Sequence, residues 1–436
     1  MLIRILESHW EAARGNLLRR QDVETAGFFF ARVVGAGDTG CFVSERYVPV
    51  PDVAYLVRRI DQLRIDPVAL NRLVRPARDA GLAVITIHTH PGATEPWFSW
   101  ADDRGDARLM PSFAVQIPGR THGSMVLAGA SGTAVARLFD GERPESARVH
   151  LVGRRLSAFP GDRDASPEAF ARQQLALGAA GQALLHVLKV GVVGLGGTGS
   201  VVAAQLSHMG LARLVLVDGD LVEEANRSRI IHSKPTDVGT PKVEVSARYA
   251  GEVGLTASIE SHSRHLLSRA DTERLAACDV VFSCVDRHTP RALLNRLAYE
   301  AAVPVIDMGS VFRVDGAGAI VASAGRVVVI GPGRPCLACW GHIDPSALRV
   351  EALDEEARAA EEAEGYIQGA RVSQPSVIAF NTAVGGAAVV EFLRLVTGFA
   401  GADAPPDRLA FAFAEGTVRR NRLAGTGGCV ICTPPT

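Results

Sequence analysis

The stretch VGVVGLGGTGS, residues 190–200, limits the possible folds of this chain more than any other. An apolar run ends at a turn with glycines at Gly194, Gly196, Gly197 and Gly199, and helical text follows. A glycine-rich turn between a strand and a helix lets backbone N–H groups approach a phosphate at the helix N-terminus. The next apolar run, LARLVLVD, ends on Asp218, where an acid would hold a ribose hydroxyl. Strand and helix text keep alternating through TPKVEVSARYAGEV, DVVFSCVD and VPVIDMGS. That alternation predicts βαβ units, so residues 167–436 are expected to form a Rossmann-like, mostly parallel sheet of the α/β class.

Residues 1–152 read differently. Short apolar runs (GFFFARVV, CFVSERYVPV, LAVITIHTH, SFAVQI, SMVLAGA, AVARLFD) are separated by Gly and Pro turns, with one helical stretch at about 66–80. This predicts an α+β domain built around strands, joined to the second by a polar linker at 153–166. A length of 436 residues suits two or three domains. The formal net charge of −1 points to neither nucleic acid nor an anionic membrane as a partner. The charged opening MLIRILESHWEAARGNLLRR has no apolar signal core, and no apolar run was expected to span a bilayer, so a cytoplasmic location is expected.

In LAVITIHTH, residues two apart share a strand face, so His88 and His90 can reach one metal ion. Asp102 would be a third ligand, leaving one tetrahedral position open for a water that zinc activates at neutral pH. Ser99 is placed to donate to a developing oxyanion, and Glu24 is the best upstream general base, ahead of Glu7 and Glu45. A bare His-x-His could be two hydrogen-bonded strand histidines, with Asp102 a helix cap. Pro91 and the Ser-x-x-Asp spacing favour the metal. This set resembles the JAB/JAMM metalloprotease family. The resemblance implies a cytidine-deaminase-like sheet and a zinc peptidase or isopeptidase acting after the C-terminal glycine of a ubiquitin-like protein.

The charge set after Asp218 separates the second site from a dehydrogenase. Asn226, Arg229 and Lys242 follow, then Asp286 in SCVDRHTPR. Two cations could neutralise a triphosphate and an acid could hold Mg²⁺. From about Phe170 onward the chain resembles the ThiF/MoeB/HesA family, the catalytic core of ubiquitin-activating enzymes. That resemblance implies ATP and Mg²⁺, with the glycines as the phosphate turn and Asp218 and Asp220 beside the nucleotide. It makes Asn226, Arg229 and Lys242 the triphosphate contacts and Asp286 the Mg²⁺-linked acid. Arg172 matches an arginine that reaches into a partner's site, which implies a homodimer.

Cys336-x-x-Cys339 and Cys429-x-x-Cys432 suit a closed structural zinc. Many activating enzymes carry a catalytic cysteine on a crossing loop, expected here near residues 371–373, but this sequence has no cysteine between Cys339 and Cys429. Ser373 and Ser376 are the hydroxyl alternatives, and direct transfer from the adenylate is the simpler one. The combined expectation is a bifunctional enzyme of a bacterial ubiquitin-like pathway. It would adenylate the C-terminal glycine of a small β-grasp protein, hydrolyse the bond after that glycine, and supply a conjugating enzyme. The alternative is a sulfur-carrier adenylyltransferase in biosynthesis.

Overall fold

The computed structural model describes residues 1–35, 40–140, 143–159, 168–315, 317, 319–364, 375–401, 406–423 and 428–432. The chain divides into two compact units, Met1–Arg163 and Asp164–Thr436.

The first unit runs β1 (Leu2–Leu6), α1 (Glu7–Leu17), β2 (Ala26–Val34), β3 (Cys41–Pro49), β4 (Tyr55–Arg58), β5 (Leu63–Ile65), α2 (Pro67–Asp79), β6 (Ala83–His90), α3 (Trp100–Gln116), β7 (His122–Ala128), β8 (Ala134–Asp140), β9 (Arg143–Val152) and β10 (Leu156–Ala158). Its main sheet has the order β1-β3-β2-β6-β7-β8-β9-β10, and β1 also pairs in parallel with β9, closing the sheet on itself. Both faces are covered, which is why β2 can read FFF without alternation. Phe29 packs with Trp10, Ala13 and Leu17 of α1, while Phe28 and Phe30 pack with Val74 and Ala77 of α2 and Met110 and Phe113 of α3.

Two sequence expectations change here. SFAVQI, read as a strand, is the end of α3. Asp106, Met110 and Phe113 recur at helical spacing and are buried, so the run belongs to a helix face. Residues 156–158, placed in the linker, pair antiparallel with β9, and Phe159 packs edge-on against Trp10, so the first unit extends beyond residue 152.

The second unit runs α4 (Ala171–Leu185), β11 (Lys189–Val193), α5 (Gly197–Ser207), β12 (Arg213–Val217), α6 (Lys242–Val253), β13 (Ile259–His262), β14 (Val280–Ser283), α7 (His288–Glu300), β15 (Val305–Val314), β16 (Ile320–Ile330), α8 (Pro345–Glu351), α9 (Glu355–Ala363), α10 (Ile378–Val396), β17 (Arg408–Ala412) and β18 (Thr417–Asn421). The sheet order is β13-β12-β11-β14-β15-β16-β17-β18. β13 to β15 are parallel, and an antiparallel extension of β16 to β18 follows. Strand order reverses direction between β11 and β14, the crevice where open α/β sheets bind ligands. The Ala/Glu-rich crossing text forms α8 and α9 up to Ala363.

One helix corrects the hydropathy reading. α10, with 19 residues, is long and apolar enough to cross a membrane by length and composition. Val384, Ala388, Phe392 and Leu395 are buried, and the helix packs on α5, β15 and β16, so its apolar text serves a protein core.

Candidate active sites

β6 brings His88 and His90 to one side, and α3 begins close enough to bring Asp102 to both. His88 Nε2 lies 2.9 Å from Asp102 Oδ1, His90 Nε2 lies 3.4 Å from Oδ2, and the two Nε2 atoms are 3.3 Å apart. Ligands about 2.0–2.1 Å from a tetrahedral zinc stand about 3.3–3.4 Å from one another, so the donor set fits that ion. Ser99 is the N-cap of α3. Its backbone N–H donates to Asp102 Oδ2 at 2.6 Å, and its Oγ accepts from the Asp102 N–H at 3.3 Å. Asp102 therefore both caps the helix and faces the histidines, so the cap reading and the metal reading describe one residue.

Glu24 precedes β2. The antiparallel register pairs Ala26 with His88, beyond which the Thr89 N–H donates to the Thr25 carbonyl and the Thr25 N–H donates to the Thr89 hydroxyl. Glu24 itself donates its N–H to the Arg59 carbonyl at 2.8 Å, and its carboxyl feels the charges of His88 and His90. Arg58 holds the Glu24 carbonyl at 3.0 Å and the Thr25 hydroxyl at 2.6 Å. Burial is the largest influence on the Glu24 carboxyl and pushes it up to about 7, against the lowering effect of His88 and His90. A general base works best with a pKa near the operating pH. Trp97 stands edge-on to His90 at 4.9 Å and is 53% exposed, forming a wall beside the histidines.

The four-cysteine cluster forms at the other end of the chain. Cys336 and Cys339 sulfurs are 3.7 Å apart, Cys336 and Cys429 3.7 Å, and Cys339 and Cys432 3.6 Å. These spacings are too long for disulfides. They match the edges of a tetrahedron with sulfurs about 2.3 Å from its centre, which are about 3.8 Å. Backbone hydrogen bonds from Cys432 and Ile431 lower the Cys429 thiol to about 6, favouring the thiolate that zinc binds.

At the nucleotide crevice, Gly194 has φ +85°, and a Cβ there would meet the Cys284 carbonyl oxygen at 2.8 Å. A Cβ on Gly199 would stand 1.7 Å from the Gly194 carbonyl oxygen, so the turn closes on itself without side chains. Gly196 has open space where a Cβ would be, as a phosphate cradle requires. Asp218 is buried at the tip of β12. It accepts from the Leu195 N–H at 2.5 Å and the Asp220 N–H at 2.8 Å, and burial raises its carboxyl above the usual range. Lys242 opens α6 and meets Asp220 at 2.7 Å. Asn226 is buried and accepts from the Glu223 N–H at 3.0 Å. Arg229 donates to the Ala225 carbonyl at 3.1 Å, and its Cδ borders Gly197. Asp286 is exposed just past the end of β14, and Arg172 is exposed on α4.

Asn381 was missed by the sequence reading. It is buried on α10, its amide nitrogen bonds Ser376 at 3.0 Å, and its oxygen accepts from Ser310 at 3.2 Å. That nitrogen would meet a Cβ on Gly197 at 2.2 Å, so Asn381 braces the turn. No local motif marks it, because 184 residues separate it from Gly197 (381 − 197). Ser376 is occupied as its acceptor, and Ser373 lies outside the described residues.

The model of the ThiF family matches residues 170–428, and that of the prokaryotic homologs of the JAB domain matches residues 6–139. An Aspergillus niger protein, "Adenylyltransferase and sulfurtransferase uba4", is 27% identical over 260 residues, covering 59% of this chain and 50% of that protein. The Haloferax volcanii "SAMP-activating enzyme E1" is 31% identical over 163 residues, 37% of this chain and 57% of the relative. The chain thus spans about half the length of the curated relatives it matches. Escherichia coli MccB shares the fold with a TM-score of 0.50 at 18% identity, over 63% of this chain and 75% of that one. With the ThiF match running through the glycine turn, Asp218 and the first cysteine pair, this chain belongs to the ThiF family and carries a JAB domain ahead of that region.

Proposed function

We propose that the C-terminal unit is an ATP-dependent adenylyltransferase acting on the C-terminal carboxylate of a ubiquitin-like or sulfur-carrier protein. The observation that carries this is the side-chain-free turn, Gly194 to Gly199, facing Asp218 at the switch point of the sheet. The turn's backbone would take the phosphates and Asp218 the ribose. Arg229 and Lys242 would balance triphosphate charge, with Asn226 and Asp220 supporting them and Asp286 facing Mg²⁺. Lys242 already has an anionic partner in Asp220, so a phosphate would share or displace that contact. Carrier-dependent exchange of pyrophosphate into ATP tests the reading. Exchange that survives Asp218→Ala and Asp286→Ala together would reject it.

The N-terminal unit, in the same proposal, is a zinc-dependent peptidase that cuts after the carrier's terminal glycine, in precursor processing or deconjugation. The edge lengths among His88, His90 and Asp102 carry this reading. Bound there, zinc would supply an activated water and polarise the scissile carbonyl. Glu24 would take the proton from the attacking water and pass it to the leaving amine, while Ser99 Oγ–H would steady the oxyanion. Release of a C-terminal extension from the carrier, with loss of cleavage in His88→Ala, is the test.

The adenylate would pass directly to a conjugating protein or small nucleophile, because Cys284, beside the glycine turn, is half-buried and desolvation pushes its thiol far above its ordinary range. The enzyme would act in the cytoplasm as a homodimer, with Arg172 completing the partner's site. The sulfur-carrier reading is favoured by the sulfurtransferase named in the Aspergillus relative. Mass spectrometry of the carrier after ATP addition separates the two readings, since a C-terminal thiocarboxylate formed with a sulfur donor appears only in the second.

A further inference from the structure

Arg137 of β8 is buried at the foot of α3. Its Nη1 donates to Asp103 at 2.6 Å, and its Nη2 and Nε donate to Asp106 at 2.7 and 3.0 Å. Nε also lies 3.2 Å from Ser124 Oγ on β7, and that hydroxyl in turn donates to Asp106. The flat face of the guanidinium covers the Phe98 ring at 3.8 Å. Phe98 comes from the loop that leads into α3, directly before the Ser99 cap. One planar fork therefore grips the chain on both sides of Asp102, at Phe98 before it and at Asp103 and Asp106 after it.

The two histidines need no such aid, since β6 is hydrogen-bonded on both edges to β2 and β7. Asp102 stands on the first turn of a helix that follows a nine-residue irregular segment, residues 91–99, and that segment has no strand to hold it. We propose that Arg137 is the positioning residue of this site. It locks the start of α3 so that the Asp102 carboxylate is held against His88 and His90, and so sets the zinc affinity of the N-terminal unit. A lysine could carry the charge but could not span both carboxylates and cover a ring. The inference rests on the zinc reading above.

The test uses the full chain and zinc alone, in competition with a chromophoric chelator. Wild type should bind two ions, and the four-cysteine site serves as an internal control. Arg137→Met should weaken the N-terminal site by about 10–100-fold, the usual range for residues that orient metal ligands, and leave the cysteine site unchanged. Arg137→Lys should recover only part of the loss. A folded Arg137→Met protein with wild-type affinity at the N-terminal site would overturn the proposal, even with a lowered unfolding temperature. If that variant does not fold, the double variant Phe98→Ala with Asp103→Ala decides, because it removes the two contacts that flank Asp102 while Arg137 keeps Asp106 as partner, and unchanged affinity overturns the proposal equally. Failure of the zinc reading itself looks different: His88→Ala would still bind two ions.

Discussion

Among the described residues, two tetrahedral donor sets differ in closure and in reach. At the N-terminal set, two histidines and one carboxylate occupy three corners, and all come from 15 consecutive residues, 88–102. At the C-terminal set, four sulfurs occupy every corner and join segments 93 residues apart. A closed thiolate set leaves zinc no room for a substrate and ties distant chain segments together, which is structural work. An open set on one strand and one helix start ties little together, but it leaves a corner for water beside Glu24. On the proposed reading, the same ion would be directed to folding in one place and to chemistry in the other, chiefly by ligand number.

Exchanging the two losses gives the largest expected effects. His88→Ala should reduce cleavage to background while pyrophosphate exchange and the unfolding temperature of the second unit stay at wild-type values. Cys336→Ser should do the reverse, lowering that unfolding temperature by about 10 °C, at about 2–4 °C per kcal/mol for a unit of this size. If the cysteine variant kept its stability and lost only catalysis, the assignment of roles to the two sites would be wrong.

Glu24→Gln comes next. Cleavage should fall by about 10²–10⁴-fold in kcat with two zinc ions still bound, as removal of a general base predicts. Loss of the ion in that variant would make Glu24 a ligand and the site closed. In the nucleotide crevice, Gly199→Ala should weaken ATP binding more than Gly197→Ala. The added carbon meets backbone in the first case and the movable Asn381 amide in the second. Asn381→Ala should therefore rescue Gly197→Ala and not Gly199→Ala, measured by pyrophosphate exchange over a range of ATP.

The smallest effect is a pH dependence in the zinc-free protein. The folded Glu24 pKa of about 7 lies above its ordinary 4.5, so the native state binds the extra proton between those values. Its contribution to stability is fully present below about 4.5 and is lost as pH rises through about 7. Chelated wild type should lose stability across that window relative to chelated Glu24→Gln. Parallel pH profiles for the two proteins would show that Glu24 is not buried as described.

Much of this was legible in the text, for a reason that differs by region. The glycine turn and Asp218 were readable because strand, turn and helix are consecutive, and the backbone geometry itself demands glycine. His88, His90 and Asp102 were readable because a strand's two-residue period and one short loop bring them together. SFAVQI misled because short apolar runs fit either period. Only the spacing from Asp106 through Met110 to Phe113, seen with the helix in place, settles it. Asn381 and Arg137 carried no signal, since each acts on a partner brought near by the fold and neither belongs to a local pattern.

By itself the sequence determined the donor types, the glycines and the strand–helix alternation of the second unit, all properties of residues near one another in the chain. The tertiary structure decided what touches across that distance. It set Glu24 near His88 and His90, gathered cysteines 93 residues apart, and placed Asn381 against Gly197. Sheet register and helix packing make those contacts, and both are chosen by burial summed over a whole domain, which no local window contains.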